Sequence, residues 1–119
     1  MSLDSGQNSF RRGVMSMVIL SLLKREDMYG YQLVQETEKS SGGVLTTQEG
    51  SLYPVLYKLQ DKGYISDHRV KVGKRMTRVY YHLEPTGDEK LEELISEYEE
   101  LTRGVFQIIR GGEQNVEKE

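Results

Sequence analysis

The stretch GSLYPVLYKLQDKGYI, residues 50–65, decides how the rest of the chain is read. At about 100° per residue, Leu52, Val55, Leu56 and Leu59 fall on one side of a helix. Pro54, Tyr57, Lys58 and Asp61 fall on the other side, with Ser51 and Tyr53 on the flanks near the N-terminal end. Gly63 is the natural stop, since glycine accepts the left-handed backbone of a helix C-terminus. Pro54 has no N–H, and its ring crowds the carbonyl four residues earlier. It therefore belongs in a first turn and predicts a helix starting near Gly50 or Ser51 and ending at Lys62. The polar side carries a hydroxyl, phenols and an ammonium, groups that reach phosphate oxygens and base edges from a helix N-terminal half. The same pattern equally suits tyrosines packed at the core edge beside a solvated face.

Working outward, Tyr64 to Val72 and Thr77 to Leu83 are β-branched and aromatic, and Gly73-Lys74-Arg75-Met76 between them suits a hairpin tip. Upstream, residues 9–24 carry Val14, Met15, Val18, Ile19, Leu22 and Leu23, wider than one stripe and so a helix covered on several sides. A second helix is predicted from Met28 or Tyr29 to Lys39, with Asp27 as its N-cap and Leu33, Val34 and Thr37 turned inward. Ser40-Ser41-Gly42-Gly43 ends it. Pro85-Thr86-Gly87 breaks the second strand, and a long helix over 88–110 follows, stopped by Gly111-Gly112. The expected fold is mainly α (α+β): a winged helix-turn-helix with a two-stranded β-wing and one C-terminal dimerisation helix. The divisions are a flexible arm over 1–8, a DNA-binding domain over 9–85, the dimerisation helix over 86–111 and a flexible tail over 112–119.

Charge tests that expectation. A net charge of −3 and a pI near 5.5 argue at first against a nucleic-acid partner. Residues 1–83, however, carry 12 Lys+Arg against 8 Asp+Glu, whereas residues 84–119 carry 4 against 11. DNA meets a local field, screened beyond roughly 8–10 Å, so an acidic C-terminal segment held away from a basic face is compatible with binding. Arg69, Lys71, Lys74, Arg75 and Arg78 lie in the hairpin with no acid among them. Lys74 and Arg75 at the tip suit phosphates beside the groove that the helix occupies; lysines that keep an edge hairpin soluble are the competing explanation.

In the last helix Leu91, Leu94, Tyr98, Leu101, Val105 and Ile108 recur at alternating steps of three and four, a heptad-like seam. Its outer face is acidic, with Glu92, Glu93, Glu97, Glu99 and Glu100. Such a stripe needs a partner, either the first helix or the same helix of a second chain, and both are expected together. A two-fold dimer would match a palindromic site. Catalysis is not expected. His68 and His82, on neighbouring strands, read as surface imidazoles without a metal-ligand cluster, no nucleophile has a base at recognisable spacing, and there is no cysteine. No cofactor or metal is expected. The apolar run from Val14 to Leu23 is too short to cross a bilayer, and the absence of cysteine fits the cytoplasm.

These residues resemble the PadR family of transcriptional regulators. The segment from Gly50 to Ile65 is similar to its recognition-helix signature almost throughout, and Met28-Tyr29-Gly30-Tyr31-Gln32-Leu33 to its second-helix opening, with Gly30 allowing close helix packing. Gly73-Lys74-Arg75, Arg78 to Leu83 and Thr86-Gly87 fit its wing, although Met76-Thr77 departs from the family's usual wing stretch. The resemblance implies a homodimeric repressor of adjacent genes on a palindromic double-stranded DNA operator, joined through its C-terminal and first helices. By matching position Ser51, Tyr53, Pro54 and Tyr57 would lie at the DNA, with Lys74 and Arg75 on the wing; Lys58 and Arg78 join them from their places on the helix and hairpin. A single C-terminal helix resembles the smaller subgroup, some members of which bind flat aromatic or cationic compounds against an aromatic side chain, here Tyr98. The alternative is a winged-helix protein–protein interaction module, motivated by the acidic face over 88–100.

Overall fold

A computed structural model describes the backbone of residues 2–118 and the side chains of residues 13–112. In chain order come α1 (Ser2–Arg25), β1 (Met28–Tyr29), α2 (Gly30–Ser40), α3 (Glu49–Asp61), β2 (Ile65–Val72), β3 (Met76–Leu83) and α4 (Pro85–Lys118). The inward faces of the first three helices converge. Ile19, Leu20 and Leu23 of α1, Leu33 of α2, and Leu52, Leu56 and Leu59 of α3 form one core with Ile65, Tyr81 and Leu91. Each such aliphatic side chain contributes about 1.5–3 kcal/mol by leaving water. Thr37, buried among them, donates its hydroxyl to the Leu33 carbonyl at 2.8 Å and so carries no unmet polar group inward.

The end of α3 is fixed by Gly63, whose φ of 77° is left-handed. That geometry turns the Gly63 amide onto the Gln60 carbonyl at 2.9 Å and the Tyr64 amide onto the Leu59 carbonyl at 3.0 Å. The start of α4 is bound to the same turn. Thr86 donates its hydroxyl to the Gly63 carbonyl at 2.6 Å, and the Glu84 amide donates to the Tyr64 carbonyl at 3.0 Å. Lys24, in the last turn of α1, completes the corner by meeting Asp88 at 2.9 Å.

The sheet has the order β1-β3-β2, so the wing hairpin is joined by a third strand that the sequence pattern did not predict. Met28 pairs with Tyr81 and Tyr29 with Tyr80. Because these two residues are spent on the ladder, α2 starts at Gly30 with Tyr29 as its N-cap, and no side chain caps it. Asp27 is therefore not an N-cap. The helix bounds also differ from the expected ones. α3 begins at Glu49, which places Pro54 in the second turn and leaves the Gly50 carbonyl without an i+4 amide. Helical backbone covers residues 2–8, expected as an arm, because a helix nucleated in the packed segment propagates through polar residues at little cost. It also runs through Gly111 and Gly112 into the expected tail: a glycine lowers helix stability by about 1 kcal/mol but does not forbid it.

Candidate nucleic-acid interface

Leu52, Val55, Leu56 and Leu59 are buried, as the helical spacing requires, which leaves Ser51, Pro54, Tyr57 and Lys58 exposed along the opposite side of α3. Tyr53 stands apart from them. It is half-buried, and its ring stacks on Tyr57 with centroids 6.0 Å apart. Burial first, then the nearby Glu49 carboxylate and Tyr57, raise its phenol above the usual tyrosine value, so it stays a neutral hydrogen-bond donor. Tyr81 feels both of these phenols, and its own is pushed up to about 12, chiefly by burial. Tyr57, 60% exposed, is thus carried on a tyrosine platform rather than on a free side chain.

The platform depends on Gly30. A Cβ there would lie 2.5 Å from the Tyr53 hydroxyl and 3.1 Å from its Cζ, so α2 and the α3 phenol fit together only without a side chain. Gly30→Ala is expected to swing Tyr53 aside and unstack Tyr57. Tyrosine fluorescence and a DNA titration check this, with an affinity loss of about tenfold or less and a stability loss of about 1–2 kcal/mol.

The wing's register decides which of its cations face α3. Tyr81 and Val79 turn inward, and their cross-strand partners Asp67 and Arg69 share that side, followed by Lys71 opposite Thr77. Gln60 of α3 donates to Asp67 at 2.8 Å and ties the wing root to the helix. Lys74 and Arg75 are exposed at the tip. Arg78 belongs to the other face of the sheet, opposite Val70, with its guanidinium 4.3 Å from the Tyr29 ring centroid. The side facing α3 therefore holds Arg69 and Lys71 in place of Arg78, an assignment that strand alternation alone could have supplied.

The expected seam of α4 divides in two. Leu91 is buried, and Leu94 and Ile95 pack against the chain's own core, because the first turns of α4 lie on α1. From Tyr98 onward the stripe is open, with Leu101 62% and Ile108 79% exposed and Val105, Phe106 and Ile109 beside them. Between the two parts Gly13, Val14, Met17, Leu94, Glu97, Tyr98 and Leu101 line a groove of about 270 Å³. Among the described residues no group of three His, Cys, Asp or Glu side chains is placed to hold a metal ion, and no helix is long and apolar enough to cross a membrane.

Residues 19–93 match the sequence profile of the Transcriptional regulator PadR-like family. The chain belongs to that family. A solved neighbour, a transcriptional regulator from Clostridium thermocellum, is 29% identical with a TM-score of 0.74, over 83% of this chain and 95% of that one. Bacillus subtilis PadR, solved in complex with operator DNA, is 26% identical with a TM-score of 0.65, over 69% of this chain and 46% of that one. Transcriptional regulator YqjI of Escherichia coli is 35% identical over 69 residues, 58% of this chain and 33% of that protein. The shared PadR-like architecture is a winged helix with a small sheet, and the fold expected from the sequence agrees with it.

Sequence reading of this PadR-like chain missed one group of residues. His68 and His82, read as surface imidazoles on neighbouring strands, meet the same carboxylate: Asp27 lies 2.7 Å from Nδ1 of His82 and 3.7 Å from Nε2 of His68. Asp27 is 55 residues from His82 in the chain, and no local signal links them.

Proposed function

We propose that this PadR-like regulator is a homodimeric repressor that binds a palindromic operator near the genes it controls. The observation that carries this reading is the exposed Ser51–Lys58 face of α3 beside a wing bearing Arg69, Lys71, Lys74 and Arg75. The exposed side of α3 enters the major groove, where Tyr57 and Lys58 reach base edges and Ser51, near the helix N-terminus, reaches phosphate. The wing cations hold the flanking phosphates and supply affinity more than sequence preference. The open half of α4 from Tyr98 to Ile109 is the surface that a second subunit covers, and its operator-bound relative from Bacillus subtilis supports the DNA-binding part. The groove at Tyr98 suits a flat aromatic cation, with apolar walls, a phenol ring and one carboxylate, Glu97. Its occupation between subunits would release the operator.

A mobility-shift titration against the protein's own promoter region, repeated across salt concentrations, tests this. Replacing Lys74 and Arg75 together by alanine is expected to weaken binding and flatten the salt dependence, by about 0.9 in log–log slope for each phosphate that is no longer neutralised. Tyr57→Ala should lower affinity with little change in that slope. Failure of the unaltered protein to bind any fragment of that region at moderate salt would overturn the reading.

A further inference from the structure

The segment from Asp27 to Gly30 touches the wing on one side and the DNA-facing helix on the other. Gly30 seats Tyr53 of α3. Asp27 accepts a hydrogen bond from His82 of β3 at 2.7 Å and lies 3.7 Å from His68 of β2. The chain of neighbours continues along the outer face of the sheet. The His68 ring stacks on Tyr80 at 5.8 Å, Tyr80 meets Tyr29 edge-on at 5.4 Å, and Arg78 lies over Tyr29. Both wing strands are thus gripped, side chain by side chain, by residues 27–29.

We propose that Asp27, His68 and His82 form a proton-dependent clasp that sets the wing relative to α3, so that DNA affinity rises as the pH falls through neutrality. The inference rests on the operator-binding reading. Its strength lies in the chain's composition: there are two histidines and no cysteine, so the side chains that ordinarily titrate near neutrality all stand at this one carboxylate. The charged and titratable groups around the pair are Asp27 from the α1–β1 connection, Glu84 at the end of β3, and Tyr80 of β3. Glu84 is engaged by the Ser66 hydroxyl at 2.6 Å, which leaves Asp27 as the direct partner of His82.

The hydrogen bond to Asp27 raises the His82 pKa above its usual value; burial opposes it, and the charges of Asp27 and then Glu84 add to it. A raised folded-state value means that the clasp is at full strength below the ordinary histidine pKa of about 6.5 and weakens as pH rises through the higher one. Asp27 acts through the wing and is a positioning residue.

The test uses the full chain and the promoter duplex that binds in the mobility-shift titration, between about pH 6 and about pH 8. Affinity of the unaltered protein is expected to fall about two- to fivefold across that range, the scale of an exposed ion pair. Asp27→Asn and the double replacement of His68 and His82 by glutamine are expected to bind with no such slope. Asparagine keeps an acceptor, so affinity at the high-pH end should stay near that of the unaltered protein. NMR titration of the free protein needs no DNA and separates failure of the clasp from failure of operator binding. The His82 midpoint should drop in Asp27→Asn. An unchanged midpoint, or the same pH slope in the unaltered protein and the double variant, overturns the proposal.

Discussion

Replacing both Leu101 and Ile108 by glutamate is expected to convert the proposed dimer into a folded monomer with affinity for the proposed operator reduced by two orders of magnitude or more. Within one chain both side chains stand largely in water, so the charges cost the fold little. In a dimer that covers the open half of α4 the same charges would be enclosed without partners, which costs several kcal/mol per ion. Each dimer also forgoes four buried aliphatic side chains, at about 1.5–3 kcal/mol apiece. A monomer meets one half-site and lacks the effective-concentration gain of linked sites, about 10²–10⁴. Sedimentation and a melting curve separate the outcomes. A variant that stays dimeric would place the subunit interface elsewhere on the chain.

Gly87→Ala is expected to be the most damaging methyl group that can be added to this protein. Its Cβ would fall on the backbone carbonyl of Tyr64 and within 2.8 Å of Leu83 Cδ1. A side chain could rotate away, but that carbonyl cannot, because it accepts the Glu84 amide while Thr86 holds the adjacent Gly63 carbonyl. The first turn of α4 must therefore back off and surrender those bonds together with the burial of Leu91. Overpacking of this kind costs about 3 kcal/mol, and for a chain of this size that lowers the melting temperature by about 10–15 °C. Calorimetry measures it directly, and a loss below about 1 kcal/mol would mean that α4 can slide at this corner.

The contrast between these two sites explains how far the sequence could be read. The exposed polar side of α3 was legible because four aliphatic residues at steps of three and four leave no freedom in which side is buried. The open seam of α4 was legible for the same reason, although spacing alone did not show that Leu91 and Leu94 serve the chain's own core. β1 was not legible. Two residues have no periodicity, and Met28-Tyr29 becomes a strand only because Tyr80 and Tyr81 arrive from β3. Asp27 before a helical pattern has the chemistry of an N-cap, and only the intervening strand moves it three residues ahead of Gly30 and into reach of the histidines. The face that Arg78 occupies was hidden for a related reason, since a run of cations does not reveal which ones share a face until the register is known. Gly111-Gly112 has the composition of a stop, but the helical backbone there continues.

The order β1-β3-β2 also has a consequence in time. The hairpin of β2 and β3 is local and forms on the scale of about 1–10 μs once its residues are free to pair. β1 must wait for a partner 53 positions further along, since Met28 pairs with Tyr81. At about 5–20 residues per second that is a delay of roughly 3–10 s on the ribosome. During it α1, α2 and α3 can collapse together, yet Met28 and the edge beside it have nothing to close them. The nascent chain thus has its first three helices before it has the joint between them and the wing, the pairing that brings Asp27 to His82.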